Sequence, residues 1–353
     1  MTNVIPSLPF ISGEHPPVDL ATHPSPTHGG QLRQASACFG IPLADWLDLS
    51  TGINPCAWPV IAPPASAWVR LPEEDDGLDA AAAAFYGTPF HPLPVAGSQA
   101  AIQALPNLRA PCRVGVPQVG YQEHAHAWHR AGHQVITLPD SDPGRALDEI
   151  DCLIVINPNN PTGHCWPLAT LRDWHHQLAA RNGWLIVDEA FMDATPEQSM
   201  AADAGRTGLI LLRSLGKFFG LAGARVGFLF AEPALQSRLK SLLGPWTLNG
   251  PARCIARQAL RDTGWQQTTR ATLPRDGERL ASLLHRHGLT PVGGTALFQW
   301  VITPEADRLY RALAQQGILV RHFIAPRSLR LGLPGSASDW ERLDMALAAV
   351  VQS

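Results

Sequence analysis

Lysine is scarce in this chain, which has Lys217 and Lys240 and no others. Lys217 lies in SLGKFFGLAGARVG, residues 214–227, just after an apolar run. A lysine that is to form an imine with a carbonyl must be held off water, near cations that lower its pKa. Ser214, three residues earlier, offers a hydroxyl, and Arg225, eight residues later, offers a planar guanidinium fork. Together they suit one phosphate monoester. An S-x-x-K spacing alone is a weak signal, because a surface lysine beside a glycine turn looks the same.

Three stretches upstream change the weighing: VAGSQAAIQAL (95–105), NPNNPTG (157–163) and LIVDEAF (185–191). Gly97, Ser98 and Gln99 follow an expected strand and open an expected helix, so unpaired N–H groups and the positive helix end face whatever sits there. A phosphate is the natural occupant. Asp188 ends an apolar run, where its carboxylate can pair with a protonated ring nitrogen or simply cap a sheet edge. Gly29 and Gly30 are adjacent glycines that can form an anion-binding nest or a flexible connector. His126, His129 and His133 share a nominal helical face. Gly132 should end that helix first, and no cysteine or paired carboxylate completes a metal shell.

With these four motifs in order, the chain resembles the fold-type I pyridoxal-phosphate enzymes, the aspartate-aminotransferase-like superfamily, over most of its length. The resemblance implies pyridoxal 5'-phosphate as cofactor, with its phosphate at Gly97, Ser98, Gln99, Ser214 and Arg225. It implies Lys217 as the covalent anchor, Asp188 on the ring nitrogen, Asn160 on the ring hydroxyl and Tyr121 flat against the ring. Tyr121 is otherwise a core residue, and Asn160 a turn former. Arg330 in LRLGLP matches the family segment whose arginine grips the substrate anion, and Arg321 in GILVRH is a second candidate.

Within the superfamily, THGGQLRQASACFGIPLADWLDLSTGINP resembles the N-terminal signature of the threonine-phosphate decarboxylases of cobalamin synthesis. Histidinol-phosphate aminotransferases lack the HGG element. The signature implies that His28, Gly29 and Gly30 fold over the site and help bind the phosphate of L-threonine O-3-phosphate. Phe191 agrees with it: aminotransferases usually carry tyrosine there, with its hydroxyl on the cofactor ring oxygen. Leu71 departs from relatives whose tyrosine reaches the cofactor phosphate of the other subunit. A histidinol-phosphate-like aminotransferase and a non-catalytic pyridoxal-phosphate-binding protein are the alternatives.

Composition sets the outer bounds. A chain of 353 residues with 45% hydrophobic content can bury a large core and divide into two domains. A formal net charge of -3 gives no pull toward nucleic acid or an anionic membrane and leaves a small molecule as the default partner; the resemblance implies a small phosphorylated amino acid as that partner and a homodimer as the assembly. No signal peptide or membrane span is legible, and a cytoplasmic location follows. Six cysteines without a CxxC pair read as buried or idle thiols.

The expected fold is α/β: a large domain with a mostly parallel central sheet and a smaller α+β domain. Short β-branched runs alternate with helical segments from about residue 93. Strands are expected at 113–116, 134–138, 152–156, 184–187, 208–212 and 226–230, the last two joined too tightly for a long crossover helix, which allows the antiparallel pairing that the resemblance implies. Helices are expected at 32–39, 77–86, 98–108, 122–131, 168–181 and 233–243. Beyond Gly244 come a long helical region, 251–287, strands near 297–302 and 328–333, and a terminal helix, 338–351. Residues 1–54 are assigned to the small domain, 55–245 to the cofactor domain and 246–353 to the small C-terminal domain.

Overall fold

The computed structural model describes residues 26–351; residues 1–25 of the expected N-terminal segment lie outside them. Seven strands make the larger sheet: β2 (Leu93–Val95), β3 (Arg113–Pro117), β4 (Gln134–Leu138), β5 (Cys152–Ile156), β6 (Trp184–Asp188), β7 (Leu209–Ser214) and β8 (Gly227–Phe230). Their order is β2-β8-β7-β6-β5-β3-β4, with β2 and β8 antiparallel to their neighbours and the rest parallel. Strands β5 and β6 are buried at every position, as expected where helices cover both faces of a parallel sheet. Their side chains split between two cores, Leu153 and Val155 on one face and Cys152 and Ile154 on the other.

The second sheet has the order β1-β11-β12-β10-β9. It contains β1 (Leu47–Leu49), β9 (Gly293–Thr295), β10 (Phe298–Ile302), β11 (Ile318–Phe323) and β12 (Ser328–Gly332). Strand β1 pairs in parallel with β11, which ties the chain after α1 (Leu32–Phe39) to the C-terminal sheet. The long helical region splits into α8 (Gly250–Arg261) and α9 (Thr263–Arg286). Asp262 makes the break, its carboxylate capping α9 by accepting from Trp265 N at 3.0 Å. The remaining helices are α2 (Ser66–Val69), α3 (Leu78–Tyr86), α4 (Ser98–Ala104), α5 (Glu123–Arg130), α6 (Leu168–Ala179), α7 (Pro233–Leu243), α10 (Ala306–Gln315) and α11 (Ala337–Val351). The C-terminal ends of β3, β5, β6 and β7 lead into Tyr121, Asn160, Asp188 and Ser214, so one edge of the sheet gathers the candidate residues, as parallel sheets do.

Candidate active site

Strand β7 ends at Ser214, which lies opposite Gly227 of β8. Gly227 presses on the Ser98 nitrogen so closely that no side chain fits, and the Arg225 guanidinium occupies the space a Cβ on Gly97 would need. Ser98, Ser214 and Arg225 thus converge at the start of α4, which has no side-chain cap of its own. The first N–H groups there remain for an anion. Arg225 holds a left-handed backbone, φ 54°, uncommon outside glycine.

The β7–β8 connection carries Lys217. Its carbonyl accepts from Asn54 N at 3.0 Å, and the next two carbonyls accept from Asn54 Nδ2 and Trp58 N, both at 2.9 Å. Residues 54–58 therefore run alongside 217–219 and hold the loop. Lys217 Nζ sits 5.2 Å from the Phe191 ring centre and has no hydrogen bond or ion pair among the described residues. Burial first, then the positive charges of Arg330 and Arg225, pull its pKa down to about 8, against the opposing pull of Asp188. Such an amine is a usable nucleophile near neutrality.

Asp188 is braced on both oxygens. Oδ2 lies 2.9 Å from His124 Nε2, and Oδ1 accepts from Ala190 N at 3.1 Å. His124 was not singled out from the sequence, where the three histidines after it drew attention as a metal face. The signal was available: Tyr121 and His124 are one turn apart at the start of α5, and their rings meet edge to face at 6.2 Å. Glu123 was missed as well. It holds His28 Nε2 at 2.7 Å with one oxygen and the Gln99 amide with the other, while Gln99 Oε1 accepts from the Tyr121 hydroxyl at 3.0 Å. Burial, then the negative charges of Glu123 and Asp188, raises the Tyr121 pKa, so the phenol stays protonated.

Above these groups lies a cavity of about 870 Å³ walled by His28, Gly29, Tyr121, Asn160, Lys217, Arg321 and Arg330. Arg321 and Arg330 stand directly opposite each other across the β11–β12 ladder. Two like charges in that register repel and call for an anion between or beside them. Arg330 donates to Asn160 Oδ1 and, at 2.6 Å, to Ser50 O, leaving its buried Nε without a partner. Burial and the charge of Arg321 disfavour its own charge. Arg321 is held by the carbonyl and hydroxyl of Thr27, at 2.6 and 3.0 Å. Gly30 N donates to Ser50 Oγ at 2.7 Å, so its amide is engaged rather than free for a ligand. The HGG segment is thereby pinned from both sides, by Glu123 through His28 and by Arg321 through Thr27.

Ser98, Ser214, Arg225 and Asp188 do not line this cavity; Lys217 joins the two regions, lining the one and feeling the charges of the other. The donor set fits pyridoxal phosphate: an unengaged amine, a braced carboxylate, an aromatic ring and an uncapped helix start with a serine and an arginine. His126 and His129 line the cavity wall, while His133 turns into the core, beyond the end of α5. Its Nδ1 accepts from Cys112 N at 3.2 Å, and its Nε2 lies 3.0 Å from Pro106 O. Nor are all the cysteines isolated from one another, since Cys112 Sγ is 3.9 Å from Cys152 Sγ. Adjacent strands supply the proximity that sequence spacing hides.

Comparison with known proteins gives consistent relations. The profile of aminotransferase class I and II matches residues 73–350. A threonine-phosphate decarboxylase of Pseudomonas aeruginosa is 55% identical over 320 residues, 91% of this chain and 96% of that protein. A threonine-phosphate decarboxylase of Sinorhizobium sp is 42% identical, over 91% of this chain and 97% of that protein. The crystal structure of histidinol-phosphate aminotransferase from Sinorhizobium meliloti in complex with pyridoxal-5'-phosphate superposes with a TM-score of 0.80 at 18% identity. It covers 94% of this chain and 96% of that one.

Proposed function

The chain belongs to the aminotransferase class I and II family, and from that premise we propose that it is a pyridoxal-phosphate-dependent decarboxylase of L-threonine O-3-phosphate. Its product is (R)-1-aminopropan-2-yl phosphate, the precursor of the aminopropanol linker of cobalamin. The observation that carries the reaction is the high identity, over nearly the whole chain, to a relative bearing that name. The two facing arginines agree with a substrate bearing two anions.

In this reading Lys217 is the covalent anchor, and Ser98, Gln99, Ser214 and Arg225 bind the cofactor phosphate with the Gly97 turn. Bound pyridoxal phosphate supplies an electron sink for the pair left at Cα when carbon dioxide departs. Asp188, oriented by His124, presents its carboxylate to the ring nitrogen. Tyr121 covers one face of the ring, Asn160 approaches its hydroxyl, and Phe191 leaves the ring oxygen without the hydroxyl a tyrosine would give. Arg330, with its unpartnered Nε, takes the substrate carboxylate. His28, Gly29 and Arg321 take the substrate phosphate, while Gly30, its amide held by Ser50, fixes the turn, and Lys217 Nζ delivers the proton to Cα.

Among the described residues no helix is long and apolar enough to cross a membrane. The cysteines are all free, in keeping with a cytoplasmic enzyme. The assembly in this reading is a homodimer. The deciding experiment is incubation with L-threonine O-3-phosphate, following carbon dioxide and the need for 2-oxoglutarate. Carbon dioxide release without 2-oxoglutarate is expected; amino transfer to 2-oxoglutarate with no carbon dioxide would overturn the reading.

A further inference from the structure

The cavity and its catalytic groups sit at the C-terminal edge of the larger sheet. A second cluster occupies the opposite edge. Strands β5, β3 and β4 are neighbours there, and each is entered through a reactive side chain. Cys152 is the first residue of β5, Cys112 immediately precedes β3, and His133 immediately precedes β4. Cys112 is half-exposed beside the exposed Ala110 and Pro111, whereas Cys152 and His133 are buried.

The geometry is that of an activated thiol. Pro106 O can only accept, so His133 Nε2, 3.0 Å away, carries the proton. Nδ1 is then a lone-pair nitrogen. It takes the Cys112 backbone N–H at 3.2 Å and lies 3.3 Å from Cys112 Sγ. A nucleophile, a base in reach and a third group orienting the base are all present. Cys152 Sγ stands 3.9 Å behind, on the side away from solvent. The hydrogen bond from Cys152, then the hydrogen bond and charge of His133 once its Nδ1 has taken the proton, and the charge of Arg109, favour the Cys112 thiolate against the cost of burial. The same contact and burial keep Cys152 protonated.

We propose that Cys112 is a hydroperoxide-reactive thiol, with His133 as its base and Cys152 as its resolving partner, forming a reversible disulfide at the sheet edge opposite Lys217 and Asp188. In the first step His133 Nδ1 takes the Cys112 proton and the thiolate attacks the peroxide oxygen. An S–O bond forms, the O–O bond breaks, and the proton leaves with the departing alkoxide or hydroxide, giving the sulfenic acid. In the second, Cys152 sulfur displaces that hydroxyl. The S–S bond forms, the S–O bond breaks, and the Cys152 proton departs with the hydroxyl as water. Two thiols are oxidised and one hydroperoxide is reduced. Rotation of the two side chains must bring the sulfurs to about 2.05 Å.

The test treats the holoenzyme with hydrogen peroxide, alkylates the remaining thiols and maps the peptides. A Cys112–Cys152 cross-link is expected at least about tenfold faster than oxidation of Cys38 or Cys56, the exposed thiols that serve as internal controls. Dithiothreitol should reverse it. With Cys152→Ser, Cys112 should persist as a sulfenic acid captured by dimedone; with Cys112→Ser, Cys152 should not react. Both variants should turn over substrate as the parent enzyme does. Oxidation of Cys38 or Cys56 ahead of Cys112, or passage of Cys112 to sulfinic acid without a cross-link in the parent enzyme, would overturn the proposal.

Discussion

A single amine carries the proposed chemistry, and its surroundings make a prediction that the second lysine does not share. Lys240 is exposed and ion-paired with Glu74, whereas Lys217 is depressed to about 8 by burial and two arginines. Protonated below that value and free above it, Lys217 should condense with pyridoxal phosphate at a rate that rises with pH and levels just above pH 8. An ordinary lysine would level near 10.4. Replacing Arg330 by glutamine removes a charge that lowers the pKa, so the inflection should move to higher pH. Stopped-flow absorbance of the apoprotein with added cofactor reads both effects. Borohydride reduction should trap the adduct on Lys217, and Lys217→Ala should abolish it; a trapped adduct on Lys240 would remove the assignment. Asp188 illustrates a different device, a carboxyl group oriented by a buried histidine.

At the level of elements, the β11–β12 hairpin makes the strongest statement, because its ladder sets Arg321 opposite Arg330. A bound anion should relieve that repulsion. Inorganic phosphate at about one hundred times its dissociation constant should add roughly 2.7 kcal/mol to the unfolding free energy. Arg321→Gln should lose most of that gain while changing stability in phosphate-free buffer by about 1 kcal/mol or less, since one repulsion and one Thr27 contact disappear together. Thermal unfolding with and without phosphate measures it. In turnover, His28→Ala and Arg321→Ala should each cost about ten- to a hundred-fold with L-threonine O-3-phosphate, a charge-assisted contact being worth about 1.5 to 3 kcal/mol. The loss with L-threonine should be much smaller; equal losses on both would mean the cations do not read the phosphate. The hairpin also marks where sequence reasoning stopped. Strands β5 and β6 were legible because buried parallel strands are continuous apolar runs, and β3 and β4 as short β-branched runs alternating with helical segments. The β7–β8 pair was legible as antiparallel because its short link allows the pairing that the resemblance implies. Strand β1, three residues long, had no period to read, and β11 was noticed only for its arginine. Helix α10, between β10 and β11, was missed, although its buried Ala306, Leu309 and Leu313 recur at helical spacing. The cofactor residues were visible as ordered motifs. Glu123, His124 and Thr27 were not, because their importance comes from what the fold sets against them.

At the scale of the whole molecule, the described residues leave a cluster of apolar side chains exposed along one passage. Val60, Ile61, Trp68, Val69 and Leu71 are exposed along the proline-rich passage, Trp68 at 70% and Val69 at 82%. Leu242 and Trp246 are exposed as well, and the two stretches are brought near each other where Gly250 packs directly on the Ala67 carbonyl. Scattered apolar residues on a surface are ordinary, but several large ones together mark an interaction site. The same passage continues into residues 54–58, which line the Lys217 loop through hydrogen bonds at 2.9 to 3.0 Å. A second copy of the chain docked on this surface would press on a segment that holds the covalent anchor, so assembly and activity should fail together. Truncating a central interface tryptophan commonly costs 2 kcal/mol or more, and a carboxylate in its place costs the desolvation of a charge as well. Trp68→Asp combined with Val69→Asp should therefore shift the protein from dimer to monomer in sedimentation at micromolar concentration. The residues are exposed in the single chain, so the fold should survive, with circular dichroism unchanged. Cofactor absorbance and turnover should fall together on dilution, at far higher protein concentration than for the parent enzyme. A variant that sediments as a monomer yet keeps full turnover at low concentration would show that each site is complete within one chain, and the homodimer would lose its functional role.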